Sequence, residues 1–427
     1  MKVEVLPSVL AGRVSAPGSK SDAQRIVACA LLARGVTTIR EFPDSDDCHA
    51  ALQVAQDLGA VVTIKGTTVK IRGGFPQAFA SGIRNPKPVV DCGESGLASR
   101  MYTAIAALSD STIEIRGHST LLQRPFDDLI VALEQCGASV ESQDGRLPLR
   151  VRGPLHGGAV SINAGISSQF LTGLLLALSR ANEPSIVRVS NLKSKPYIAL
   201  TLQILGQFGV EVTHNEALDE FHVTPKAMSA IDIAVPGDWS GAAFILVAAA
   251  LCAEEGLVVD NLPMDSAQAD RAIIDALRLA GVRFEAAENE VKVWQSEVRA
   301  FEFDATDCPD LFPPLVALAA FADGVSIIQG ASRLIHKESN RAKVMQQEFA
   351  KANIRIVIRG DEMKIYPSAV RRADISSHND HRIAMAAAVL GLAGDHVTIR
   401  NAEAVSKSFP SFFDLMIALK GRVQVSA

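Results

Sequence analysis

One pattern recurs six times along this chain. A polar or glycine-bearing head is followed by an Ala/Leu-rich apolar run and then a short β-branched run. The copies read "GSKSDAQRIVACALLARGVTTI" from Gly18, "GESGLASRMYTAIAALSDSTIEI" from Gly93 and "GISSQFLTGLLLALSRANEPSIVRV" from Gly165. They continue as "GDWSGAAFILVAAALCAEEGLVV" from Gly237, "DCPDLFPPLVALAAFADGVSII" from Asp307 and "HNDHRIAMAAAVLGLAGDHVTI" from His378. The heads lie roughly 70 to 75 residues apart, well beyond the period of a solenoid repeat.

Each copy then adds an amphipathic run and two β-like runs joined by a turn, as in "CHAALQVAQDLGAVVTIKGTTVKIRG" and "NRAKVMQQEFAKANIRIVIRGDEMKIYP". Gly-Asp in "IVIRGDEMKIY" and Glu-Asn in "FEAAENEVKVW" are hairpin signals. The recurring order predicts an α/β fold of six helix–strand–helix–hairpin units, three in each of two domains. The alternative is one large α/β domain with accidental internal similarity. Copy six stops early, at "FFDLMIALKGRVQVSA", and "MKVEVLP" at the other end is the strand that completes it. A discontinuous domain is therefore expected over 1–17 and 237–427, with a continuous one over 18–236. The two crossings fall near "SAPGSK" and "AVPGDWS", both of which carry the turn signal Pro-Gly.

The net charge of −5 disfavours wholesale nucleic-acid binding. The six cysteines, at 29, 48, 92, 136, 252 and 308, form no C-x-x-C pair or zinc spacing and are expected to be reduced thiols. The first residues alternate like a strand and carry no signal-peptide core, and no apolar run reaches about 18 residues. The chain reads as a soluble cytoplasmic protein, off the membrane, acting as a monomer.

The apolar run of each copy is hydrophobic all round and should be buried. Its first N–H groups then need partners, and Ser, Asp or Gly at the heads serve as caps. Caps do not account for Lys20, Arg25, Arg100, Arg124, Lys195, Lys337, Arg341, Arg382 and Lys407, which all stand at or near expected helix starts. A cation there faces the positive end of the helix dipole. One such residue reads as a solvated side chain. Nine are better explained by a bound anion that dipoles and cations stabilise together. A small, multiply anionic metabolite in a cleft between the domains fits a chain of negative net charge better than DNA or RNA.

At these residues the sequence resembles the enolpyruvyl transferase family, in the branch that uses shikimate 3-phosphate. The ordered motifs are "PGSKS", "SG" followed by "SR", "QRP", "SSQF", "SKPY", "PDL", "HKES", "NDHR" and "KSFP", and they span nearly the whole chain. The resemblance implies a two-domain inverse α/β fold with the active site in the interdomain cleft. It implies transfer of the carboxyvinyl group of phosphoenolpyruvate to the 5-hydroxyl of shikimate 3-phosphate, with release of phosphate. No metal or organic cofactor is implied.

The resemblance also implies residue roles. Lys20 contacts phosphoenolpyruvate, together with Gly96, Arg124, Gln169, Arg341, Arg382 and Lys407. Ser21, Arg25, Ser167, Ser168, Gln169, Ser194, Tyr197, Asp310 and Lys337 hold shikimate 3-phosphate. Asp310 binds the reacting hydroxyl and takes its proton, and Glu338 moves a proton at the methylene carbon, with Lys20 sharing the acid role. Such addition–elimination needs a proton to go on and come off, which suits two carboxylates tuned differently. Arg333, His381 and Glu94 are further candidates, His381 also reading as a structural partner.

Several positions depart from the family pattern. Asp22, Ala23 and Gln24 stand where small or amide residues are usual. Glu94 and Leu97 replace an asparagine and a threonine, Asn340 replaces an aspartate, and Arg333 stands where an asparagine or arginine occurs. Leu97 and Met101 are expected to alter the response to inhibitors that mimic phosphoenolpyruvate. Two rival readings share the fold. A transferase acting on UDP-N-acetylglucosamine would carry a reactive cysteine ahead of "QRP", and none lies between Arg100 and Arg124. A non-catalytic binder of phosphorylated metabolites or RNA ends would gain nothing from Asp310 and Glu338.

Overall fold

Gly360 and Asp361 form the two-residue loop of a hairpin: strand Arg355–Arg359 pairs antiparallel with Glu362–Tyr366, and Arg359 lies opposite Glu362. The same device recurs through the structure, a computed structural model that describes residues 1–75, 87–335 and 337–426. His336, the first residue of "HKES", falls outside the described residues. Among these, the strands form six four-stranded sheets. Each contains one parallel pair, and five of the six contain a hairpin.

The chain divides into two units, Met1–Ser19 with Pro236–Ala427, and Lys20–Val235. In the first, Lys2–Leu6 pairs antiparallel with Val397–Arg400 on one side and Arg422–Ser426 on the other. The truncated sixth repeat is thereby completed from the opposite end of the chain. Two further strands are exchanged in sequence. Gly12–Ser15 precedes the helix Lys20–Leu32 yet pairs with Leu257–Asp260, and Asp232–Ala234 precedes the helix Trp239–Cys252 yet pairs with Val36–Arg40. The repeat as read from the sequence has three strands. The fourth, parallel strand is short, three to six residues, and precedes the helix head, where its turn residues hid it.

The apolar run of each copy is a buried helix. In Trp239–Cys252 every residue but Leu251 is buried, and Asp238 caps the start by accepting from the N–H of Ser240 at 2.8 Å. This helix packs with Phe312–Ala319 and His381–Ala393 at the centre of its unit. Phe244, on the first, meets Phe412 edge-on at 6.5 Å between ring centroids. In the other unit Gly96–Ala106 packs on Gln169–Leu178. A Cβ at Gly173 would lie 2.7 Å from the Arg100 carbonyl oxygen, so glycine sets how closely these helices meet. No helix among the described residues is long and apolar enough to cross a membrane.

All six cysteines are buried. Burial pushes the thiols of Cys29, Cys92 and Cys308 far above their usual range, Cys252 up to about 12 and Cys136 to about 11. All six are free thiols of the core, where burial disfavours the reactive thiolate.

Candidate active site

The short 3₁₀ turn Pro309–Leu311 at the head of helix Phe312–Ala319 presents Asp310 to three cations. Arg341 Nη1 lies 2.9 Å and Lys337 Nζ 3.1 Å from its Oδ1, and Arg382 Nη2 lies 3.0 Å from its Oδ2. Burial alone would raise the Asp310 carboxyl, but Arg382, Lys337 and Arg341 outweigh it and hold the group well below the usual carboxylate range. Asp310 is thus an ionised acceptor. Burial lowers the Lys337 ammonium, partly offset by Asp310.

Arg341 is the hub. It is fully buried, and its Nη2 also meets Glu338 Oε2 at 2.5 Å. Its Nε and Nη2 donate to the two carboxylate oxygens of Asp380 at 2.9 and 3.1 Å, the bidentate geometry that suits a guanidinium. Burial would lower its pKa, yet Asp380, Glu338 and Asp310 raise it above its usual value. Asp380 is itself the N-cap of helix His381–Ala393, accepting from the Arg382 N–H at 3.0 Å, and it also accepts from Ser339 Oγ at 3.0 Å. Lys407 Nζ donates to the Asn379 carbonyl, one residue before Asp380, at 2.7 Å. His381 is the first residue of the same helix and buried. Arg333 is lowered by burial and partly restored by Asp307, Asp361 and Asp310, so it stands beside the cluster. Asp270, buried against Ser240 Oγ, adds a carboxyl that burial first, then the charge of Asp310, raises to about 6.

The unit Lys20–Val235 gathers the remaining candidates at other helix heads. Lys20 opens helix Lys20–Leu32 and pairs with Asp47 at 2.9 Å, both largely buried. Arg25 Nε donates to Thr201 Oγ1 at 2.9 Å. Its terminal nitrogens reach the carbonyls of Ser21 at 2.8 Å and Tyr197 at 3.4 Å. Burial lowers this guanidinium to about 10, leaving it charged near neutrality. Arg25 therefore ties Ser21 to Tyr197. Ser194, in the left-handed region at φ +55°, starts helix Lys195–Gln207.

A second group forms around Gly96. A Cβ built there would lie 2.5 Å from Arg124 Nη1 and 2.9 Å from Arg100 Nη1. Arg100 donates to Gln169 Oε1 at 3.1 Å and lies over the rings of Phe126 and Phe170 at 5.1 and 5.2 Å. Gln169 opens its helix, and its N–H donates to Ser167 Oγ at 3.2 Å, with Ser168 between them at the N-cap. Ser95 caps the helix that begins at Gly96 and donates to Gln24 Oε1 at 3.1 Å, with Glu94 just before it. Arg25 and Arg100 sit about one turn inside their helices, and Lys407 ends the 3₁₀ segment Ala402–Lys407.

The structure thus joins Asp310, Lys337, Glu338, Arg341 and Arg382 in one network, with Lys407 on its supporting loop. In the other unit it groups Gly96, Arg124 and Gln169 in one place and Ser21, Arg25 and Tyr197 in another, and Thr172 on the Gln169 helix meets Thr201, the partner of Arg25, at 3.0 Å. The sequence motifs do not single out Asp47, Asp380 or Asp270, and Arg100 stands in them only as one of the nine cations expected to face an anion. Asp380 stands inside the motif "NDHR", but a lone aspartate at a helix head reads as a cap, which it also is.

Buried helices whose heads carry ion-paired cations and an ionised aspartate, on six repeated α/β units, are suited to binding small anionic ligands. The family model for EPSP synthase (3-phosphoshikimate 1-carboxyvinyltransferase) matches residues 6–416, and the chain belongs to that family. A Halobacterium salinarum protein named 3-phosphoshikimate 1-carboxyvinyltransferase is 35% identical over 98% of this chain and 99% of its own length. One of the same name from Thermococcus kodakarensis is 38% identical over 94% of this chain and 96% of its own. The solved EPSP synthase of Acinetobacter baumannii shares the fold, with a TM-score of 0.83 over 100% of both chains at 24% identity.

Proposed function

We propose that this chain transfers the enolpyruvyl group of phosphoenolpyruvate to the 5-hydroxyl of shikimate 3-phosphate. The observation that carries the reading is Asp310, ionised among three cations, with Glu338 on the same arginine. Cations of this number suit the phosphate and carboxylate of phosphoenolpyruvate. The hydroxyl oxygen attacks C2 of phosphoenolpyruvate and yields its proton to Asp310. A proton from Lys20 or Glu338 adds at C3, giving a tetrahedral adduct. Glu338 then removes a C3 proton as the bond from C2 to the phosphate oxygen breaks. Ser21, Ser167, Ser168, Ser194 and Tyr197 hold shikimate 3-phosphate, their hydroxyls and helix N–H groups being suited to its phosphate. The reading requires the cations of both units to serve one pair of ligands. It is tested by phosphate release, which must need both substrates together. Release with UDP-N-acetylglucosamine in place of shikimate 3-phosphate, or binding without release, would favour the rival readings.

Gly96 supplies a test of the phosphoenolpyruvate subsite. Gly96→Ala puts a methyl group against the Arg124 and Arg100 guanidiniums, which are the far ends of flexible side chains and can shift. The expected result is a rise of roughly tenfold in KM for phosphoenolpyruvate with little change in Tm, since each displaced charge-assisted bond contributes about 1.5–3 kcal/mol. An unchanged KM in steady-state kinetics would remove Arg124 from the subsite.

A further inference from the structure

We infer that Glu348 is a positioning residue: it sets the loop Ser376–Asp380, through which Lys407 and Arg341 are held. The inference rests on the reading that these two cations meet phosphoenolpyruvate.

Glu348 lies two turns along helix Arg341–Ala350 from Arg341, and only 7% of its side chain is exposed. Its Oε2 accepts from the Ser376 N–H at 2.8 Å and pairs with Lys351 Nζ at 2.6 Å. Its Oε1 meets His378 Nε2 at 3.0 Å. Burial works against the charged form, but Lys351, His378 and the Ser376 N–H outweigh it and lower the carboxyl. A buried carboxylate with three partners on two elements fixes the distance between those elements.

The loop it grips needs fixing. His378 and Asn379 are successive non-glycine residues in the left-handed region, at φ +50° and +59°. This conformation is unfavourable for L-residues and persists only where the surroundings impose it. Ser377 Oγ braces the bend by accepting from the Asn379 N–H at 3.1 Å and donating to the Asn401 carbonyl at 2.8 Å. The bend turns the Asn379 carbonyl to Lys407 and places Asp380 to cap its helix and hold Arg341. A shift at Ser376 or His378 therefore moves a contact of each cation. Glu348 is on the helix that Arg341 starts, so the clamp closes a ring of contacts from Arg341 through Asp380 and the loop back to the same helix.

Three variants decide this: Glu348→Ala, Glu348→Gln, and Lys351→Ala as a control that removes only the half-exposed partner. The readouts are hydrogen exchange over Ser376–Asp380, calorimetric affinity for phosphoenolpyruvate, and steady-state kcat and KM. For Glu348→Ala we expect faster exchange in the loop and a roughly tenfold weaker affinity and higher KM for phosphoenolpyruvate, with kcat changed about threefold or less. Glu348→Gln, whose amide oxygen still accepts from Ser376, restores most of both, and Lys351→Ala resembles wild type. A purely structural role would lower Tm and the active fraction and leave KM alone, and that result overturns the inference. Wild-type exchange in Glu348→Ala overturns it as well, as does faster exchange with unchanged affinity. If Glu348→Ala does not fold, His378→Asn decides, because it removes the loop side chain that meets Glu348 Oε1 and keeps a residue suited to the left-handed conformation: faster exchange with weaker affinity supports the inference, and wild-type values for both overturn it. Absence of turnover in the wild-type chain would defeat the enzymatic reading instead, and exchange and affinity would still decide the role of Glu348.

Discussion

Arg341→Ala will lower the stability of the protein by about 3–5 kcal/mol at pH 7, the range expected when one partner of a buried charge network is removed. Arg341 is fully buried and is the shared partner of Asp380, Asp310 and Glu338. Its loss removes the cation that three carboxylates share, while Lys337 and Arg382 remain on Asp310. The deficit should depend on pH in a fixed direction. The Asp310 pKa is depressed in the folded state, so the stabilisation it reports is present above the unfolded carboxylate value of about 3.9 and is lost as pH falls through the folded value. The gap between variant and wild type should therefore be wide at pH 7 and narrow in acid. Urea unfolding at several pH values measures it, and a gap independent of pH would contradict this account of the network.

Asp310→Asn should separate binding from chemistry. The substitution keeps the size of the side chain and removes a charge from the midst of Lys337, Arg341 and Arg382. The three cations then face an anionic ligand without an internal competitor, so affinity for phosphoenolpyruvate should be held or increased. Turnover should fall by roughly 10²–10⁴, the usual contribution of a positioned base. Calorimetry with phosphoenolpyruvate and phosphate-release kinetics read the two effects independently. A variant that turns over within tenfold of wild type would show that Asp310 does not accept the hydroxyl proton.

These effects share an origin in where the chain places carboxylates, and that was the part least legible in the sequence. The buried helices were legible, because an Ala/Leu run without a polar face has only one stable environment. The Gly360–Asp361 hairpin was legible because its turn residues are local signals. The completing strand Lys2–Leu6 followed from counting strands in the last repeat. The cations were found through their conflict with the helix dipole, and Asp310 and Glu338 through the family motifs. Asp47 and Asp380 create no such conflict. An aspartate in the first turn of a helix satisfies the dipole and reads as complete in itself. Its pairing with Lys20 or Arg341, 27 or 39 residues away, is a tertiary fact. The fourth strand of each sheet was hidden for a similar reason, being too short to show a period beside turn residues that read as caps.

The central claim is that cations from separate helix heads hold two phosphorylated substrates in one place. A crystal structure of the chain with shikimate 3-phosphate and an unreactive phosphoenolpyruvate analogue tests it most directly. The account predicts Lys20, Arg124, Arg341 and Lys407 within hydrogen-bond distance of a single pair of adjacent ligands. Ligands bound apart, or seated away from these four side chains, would contradict it.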